Sequence, residues 1–380
     1  MAEAGYRVVP FCPDPHDLEK RLQENHTSPE VLRRISKPLK QLGPAPTKRI
    51  REKWGWRLEA YRFFGGIGRA LRAWERANSG KIGLVFFACI YDRHFEYFRQ
   101  AEWLFRFPWA GLYLHARSFR LPGSPVPYLG GLPCPEKIFN SPNIRLVGVL
   151  DEHAVEPLKK ITCGKPVCVF PDITCEKMPE EWSGTGLAYK VKSFAKGRPI
   201  VSLTGHLQWT KGLDLFTQAA GHSGMSEVFF FLSGEINWSE IPIEEKTKLQ
   251  AEWERLPNLY AHLQQLPEPT MNSVYAISDV VVAAYRRFPN SSNALTKAAV
   301  WERPIVVCDG YLMAERVKKF GLGEVIPESS AEALVVALKR MLTSGYYDKL
   351  RIRARWEEYR KEHSVARLKK IMKEKLFQNE

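Results

Sequence analysis

No apolar run in this 380-residue sequence is long enough to cross a bilayer. The longest candidate, Ile82 to Tyr91, is about half of the ~20 residues a spanning helix needs. The opening MAEAGYRVV also lacks the basic and then apolar pattern of a secretory leader, so a cytoplasmic location is expected. Seven cysteines are scattered without a Cys-x-x-Cys pair, and the loose group Cys163, Cys168 and Cys175 has no histidine after it at metal-site spacing. Reduced thiols fit that pattern, and no metal site is expected. No cluster of Asp or His suggests a metal, and the paired carboxylates of a glycoside hydrolase cannot be placed. Acids are the scarcer charge, 42 against 56 Lys+Arg, for a net +14. The excess sits in residues 1–175, with 27 basic and 17 acidic residues, against 29 and 25 in residues 176–380. Such a surface attracts anions of several kinds. With no recognisable nucleic-acid motif beside the charge, nucleic acid is not expected as a partner.

What is present is a rhythm of strands and helices over a length that suits two domains. Met1 to Gly5 reads as the last turn of a helix closed by a glycine, and Tyr6 to Cys12 as a strand. A doubly wound half normally begins one strand and one helix earlier. Either the start lies upstream of Met1, or this half lacks its leading strand, or the first residues are a frayed tail. Residues 15–80 read mostly as helix, with a break or bend at Gly65-Gly66. Within them, Lys48 to Arg76 holds nine basic residues, three acids and six aromatics. Trp54, Leu58, Tyr61, Phe64, Ile67, Leu71 and Trp74 recur at helical spacing. Two readings stand open for residues 48–76: an anionic membrane surface contact, or core helices with a solvated basic face.

Strands follow at Ile82 to Ile90, Trp109 to Leu114, Ile144 to Leu150 and Val167 to Phe170, with a helix at His94 to Phe105 and a Pro- and Gly-rich loop at Leu121 to Cys134. Residues 173–198 read as a linker. The second half repeats more cleanly, with strands at Ile200 to Thr204, Val228 to Leu232, Asn258 to Ala261, Val280 to Ala284, Ile305 to Cys308 and Glu324 to Ile326. Continuous β-branched runs without alternation indicate a parallel sheet covered on both faces. The expected domains are 1–175, 176–345, and a basic helical stretch 346–380.

Three stretches of the second half converge on the carboxyl edge of this sheet, where open α/β sheets bind ligands. Gly205-His206 leads through Lys211 into a helix, placing an ammonium where only an anion offsets its repulsion from the helix dipole. Gly234 closes a second strand in a small-residue turn. The loop Arg286 to Asn293 feeds Ser291, Ser292 and Asn293 into a helix start, whose N–H groups suit a phosphate. Together they form a reasonable set for a diphosphate.

These residues carry a resemblance. GHLQWTKGLD, VYAISDVVVAAY, SSNALTKAAVWERPIVVCDG and GLGEVI, in order over about residues 198–343, resemble the donor domain of retaining GT-B glycosyltransferases of the group 1 (family 4-like) class. YLHAR and CVFPD match the first half more loosely. The resemblance implies an α/β GT-B fold: two Rossmann-like domains facing across a cleft, the first lacking its leading strand and its glycine-rich loop, with the C-terminal helix crossing back. It implies sugar transfer with retention from a nucleotide-diphospho-sugar to a glycan or lipid-linked acceptor, with no cofactor and no metal. Lys211 would contact the diphosphate, His206 stands where the family usually has arginine, and the family's two glutamates fall on Pro289 and Lys297. Lys297 either grips phosphate or is a helix-surface lysine. His115 is the implied catalytic histidine, with a satisfied strand-end histidine as the alternative. A GT-B-shaped binding protein without catalysis is the competing expectation.

Overall fold

A computed structural model describes residues 1–2, 5–12, 14–24, 28–36, 39–40, 55–90, 95, 97–114, 135–162, 164–179, 184 and 186–376. The chain divides into two compact units. The first holds residues 1–119, 128–170 and 366–380, and the second 120–127 and 171–365. Among the described residues the chain thus changes units at 170/171 and 365/366.

In the first unit Phe11–Cys12 (β1) pairs in parallel with Leu39–Lys40 (β2). Val85–Phe87 (β3), Trp109–Tyr113 (β4), Ile144–Val149 (β5) and Val167–Val169 (β6) form a parallel sheet in sequence order. Helix Gly55–Asn78 covers one face. It buries Phe64, Ile67 and Leu71 with Phe98, Phe105 and Trp109, and Phe64 meets Phe98 edge-on at 4.6 Å. The middle of its apolar stripe, Phe64 to Leu71, is therefore core, Leu58 is exposed, and so are Arg57, Arg62, Arg69, Arg72 and Arg76. Gly65-Gly66 does not break it. The helix runs through, because both glycines are buried and the missing side chain lets Leu104 approach: a Cβ on Gly65 would lie 3.2 Å from Leu104 Cδ1. On the other face Leu368, Ile371 and Leu376 of helix Val365–Leu376 pack beside Ala110, Leu146 and Phe170. Strands expected at 6–12 and 82–90 shrink to strands of two and three residues.

The second unit carries Ile200–Thr204 (β7), Phe229–Ser233 (β8), Leu259–His262 (β9), Val280–Ala283 (β10), Ile305–Cys308 (β11) and Gly323–Ile326 (β12). They form one parallel sheet in the order β12-β11-β10-β7-β8-β9. Counted from β7 this is the doubly wound order 3-2-1-4-5-6, whose switch point lies between β7 and β10. β7, β8, β10 and β11 are buried along their whole length, as their unalternated apolar runs require.

Two expectations change. Helix Gly186–Ala195 occupies what reads as linker, and its Ala188, Val191 and Ala195 bury against Phe229, Phe231 and Val274. The turn residues on either side mask that short stripe. The C-terminal stretch is three helices, Ser344–Arg353, Trp356–Glu362 and Val365–Leu376. It breaks where Arg355 N donates to Phe320 O at 2.8 Å and where His363 Nδ1 accepts from Asp172 N at 3.1 Å.

Candidate functional site

The ends of β7 and β8 are locked by their glycines. Gly205 N donates to Ser233 O at 3.0 Å, and Gly234 N to His262 O at 3.0 Å. Gly234 has φ +132°, and a Cβ there would lie 1.7 Å from Gly205 O, so only glycine fits. Past the strands the two loops run side by side, Leu207 N donating to Glu235 O at 2.7 Å. His206 is exposed at this turn.

Trp209–Lys211 form one 3-10 turn, Gly212 caps it at φ +75°, and helix Leu213–Gly221 follows. Lys211 therefore precedes the helix rather than standing in its first turn, and the helix has no side-chain N-cap. Its half-buried ammonium lies 3.8 Å from the centroid of the Tyr285 ring and 5.1 Å from that of Phe288. Among the described residues it has no hydrogen-bond or ion-pair partner. Cation–π contact supplies part of its solvation.

The loop after β10 is joined to this turn. Arg286 N donates to Thr210 O at 2.8 Å, and the Arg286 guanidinium pairs with Asp214 in the first turn of helix Leu213–Gly221. Both side chains are mostly buried, 16% and 13% exposed, and Arg286 Nη1 and Asp214 Oδ1 have no partner. The pair is single-armed. Arg287 takes φ +46°, its N–H donating to Glu328 Oε1 at 2.7 Å. A non-glycine residue held there stores strain of about 1–3 kcal/mol. Below the loop, burial pushes the Cys308 thiol up to about 12, with Glu328 adding to it. Asp309 is held below its usual range by the Lys318 ammonium bonded to it at 2.6 Å and by the Gly310 N–H.

The helix start at Ser292 is different. Ser291 Oγ donates to Asp172 and accepts from Arg316 Nη1 at 2.7 Å. Ser292 is the N-cap, accepting from Ala294 N at 3.4 Å. Asn293 accepts from Thr174 Oγ1 and donates to Ile173 O, both at 2.9 Å. The Ser291 and Asn293 side chains thus tie helix Asn293–Val300 to residues 172–174, and Ser292 caps the helix itself. Lys297 is neither surface lysine nor poised for a ligand: it is 2% exposed, and its Nζ donates at 2.7 Å to Glu268 Oε2 and to Asn272 Oδ1. Pro289 is buried. His115 lies outside the described residues, as do residues 48–54 of the basic segment.

The structure thus brings Gly205, His206, Gly234 and Lys211 together at adjacent strand ends and turns Ser291, Ser292, Asn293 and Lys297 inward. Sequence reasoning missed the Arg286–Asp214 pair and the Tyr285 ring. The only signal for them was their place just after β10 and at the start of the helix that follows β7 in a doubly wound order. Among the described residues no group of three or more His, Cys, Asp or Glu could hold a metal ion, and no helix is long and apolar enough to cross a membrane.

Comparison with known proteins adds three findings. Residues 188–363 match the family described as glycosyl transferases group 1. No curated protein matches the chain. Among solved structures, a sucrose-phosphate synthase from Thermosynechococcus elongatus superposes with TM-score 0.67 at 16% identity, covering 98% of this chain and 89% of that one. A glycosyltransferase from Rickettsia africae ESF-5 gives 0.64 at 13%, covering 99% and 92%. Anabaena Alr3699/HepE, in complex with UDP and glucose, gives 0.62 at 11%, covering 96% and 90%. The shared fold is GT-B.

Proposed function

We propose, from the match of residues 188–363 to the group 1 glycosyl transferases, that this chain moves a sugar with retention from a nucleotide-diphospho-sugar to a glycan or lipid-linked acceptor. The donor diphosphate sits at the switch point between β7 and β10. Lys211 contacts it, Gly205 lets it approach the backbone, and the uncapped N–H groups of helix Leu213–Gly221 face it. The observation that carries this reading is the Lys211 ammonium, half-buried over two rings beside a helix start and without an anionic partner among the described residues. In the transition state the leaving diphosphate gains charge and accepts the acceptor's proton, and a fixed cation there lowers the barrier. His206 adds a second donor when protonated. Ser291, Ser292 and Asn293 act indirectly, by fixing the helix behind the loop. His115 remains the proposed catalytic histidine. The complex of Anabaena Alr3699/HepE with UDP supports uridine as the first nucleotide to try.

Calorimetry with UDP, GDP and ADP tests the site, using wild type and Lys211→Ala. Binding of one nucleotide that weakens about 10–100-fold in the variant is expected, the size of one charge-assisted phosphate contact. No binding of any nucleotide, or equal binding by both proteins, refutes it.

A second reading has its own observation. Pro289 and Lys297 stand where the resembling family keeps two glutamates, and Lys297 is already bound to Glu268 and Asn272. A binding protein that holds a nucleotide sugar without transferring it fits that change. Incubation with a panel of nucleotide sugars separates the two: release of free nucleoside diphosphate on adding acceptor glycans supports the enzyme, and tight binding without release supports the binder. Contact with an anionic membrane face is electrostatic, through the exposed arginines of helix Gly55–Asn78, because Phe64, Ile67 and Leu71 of that helix are used in the core. Vesicle binding that ignores lipid charge and salt counts against it.

A further inference from the structure

The turn that carries Lys211 is held by the loop after β10. A Cβ on Gly212 would lie 2.6 Å from Ala284 O, so the turn packs directly against the end of that strand. Arg286 then touches residues on both sides of Lys211. Its N–H donates to Thr210 O at 2.8 Å, its guanidinium lies 5.1 Å from the centroid of the Trp209 ring, and it pairs with Asp214 beyond Gly212. Its Nε donates to Ser329 Oγ at 3.2 Å. Asp214 is thus the one carboxylate bonded to this guanidinium among the described residues. Tyr285 and Phe288, whose rings hold the Lys211 ammonium, flank Arg286 in the same loop.

The charges explain why the pair stands here. Asp214 lies in the first turn of helix Leu213–Gly221, where a carboxylate settles on the positive end of the helix dipole. The donor diphosphate takes that same place in the function proposed above. Two anions compete for it unless the carboxylate is cancelled. Water does little of the cancelling, because Asp214 is 13% exposed and its Oδ1 has no hydrogen-bond partner. Arg286 is no better satisfied, since its Nη1 also lacks a partner. A two-armed contact would have paired both atoms. A buried ion pair of this kind contributes little net stability over apolar residues of the same volume. What it secures is the balance of charge beside the helix start.

We propose that Arg286 is a positioning residue for the donor: by cancelling the charge of Asp214, it keeps the helix start and Lys211 open to the diphosphate. The inference rests on the donor site proposed above and adds to it a residue that acts through Asp214 without touching the ligand.

The test is calorimetry of UDP, GDP and ADP with full-length wild type, Asp214→Asn, Arg286→Gln and the variant carrying both changes. For the nucleotide that wild type binds, the two single changes act with opposite signs. Arg286→Gln weakens binding about tenfold, the scale of one partly buried charge acting on another, and Asp214→Asn tightens it about threefold or more. The double variant, with both charges gone, returns to within about threefold of wild type. Should Arg286→Gln fail to fold, Asp214→Asn decides alone, because loss of a purely structural contact does not improve affinity. Equal or weaker binding by Asp214→Asn overturns the proposal and leaves the donor site standing. No nucleotide bound by any of these proteins overturns both.

Discussion

The two helix starts that flank the switch point hold similar residue types and put them to opposite uses. At Ser292, hydroxyl, amide and ammonium groups find partners within the protein: Asp172, Arg316, Thr174 and, one turn on, Glu268 with Asn272. At Gly212 the helix has no side-chain cap, and the nearest ammonium rests on aromatic faces. A saturated set of polar groups stabilises the fold and has nothing left for a ligand. An unsaturated set at a strand end is available to one. Residue type alone does not separate these cases. Partners do.

The sharpest way to break this contrast is Glu268→Ala. It leaves the Lys297 ammonium, 2% exposed, with Asn272 as its only neutral partner. A stability loss of about 3–5 kcal/mol is expected by urea denaturation, as for an uncompensated buried charge, with nucleotide affinity unchanged once the protein is folded. A loss below about 1 kcal/mol means the lysine escapes to water and the helix start is not saturated. Next in size is Lys211→Ala, expected to cost about 1.5–3 kcal/mol of nucleotide binding and within ±0.5 kcal/mol of stability. A change in melting rather than in binding places Lys211 in the structural set. Ser292→Ala removes an N-cap and is expected to cost about 1 kcal/mol of stability while calorimetric affinity stays put; weaker binding shows that its hydroxyl faces the ligand. The smallest effect is in pH. The folded protein holds the Cys308 thiol neutral, up to about 12 from an ordinary 9.0. Its contribution to stability is therefore intact below pH 9 and lost only as pH rises toward 12. Denaturation midpoints at pH 7 and 8.5 should differ no more in Cys308→Ser than in wild type.

How much of this was legible follows from the range over which each feature is decided. The sheet of the second unit is local: Val280–Ala283 and Ile305–Cys308 are unalternated apolar runs, and strand, turn and helix follow within a few residues. The places of Gly205, Gly234 and Lys211 are legible for the same reason, since each stands at or just after a strand end. Ser291 and Asn293 carried the same local signal and misled, because the partners that claim them lie 119 and 120 residues earlier. Lys297 needed Glu268, 29 residues away, and the Arg286–Asp214 pair spans 72. In the first unit the aromatic core around Phe64 hides its strands, since short paired stretches such as Val85–Phe87 have little sequence to be read from.

The contact between Asp172 and His363 has a consequence for synthesis. It joins positions 191 apart at 3.1 Å, and the Tyr359 ring, stacked 4.2 Å from His363, also meets the Thr296 hydroxyl. At roughly 5–20 residues per second, a ribosome takes about 10–40 s to add that span. Throughout that time the six strands can emerge and pair, yet the seam holding helix Asn293–Val300 has only one of its sides. This seam closes only after the end of the unit is translated, and a nascent chain stalled before Tyr359 should be far more open to protease than its nearly complete sheet suggests.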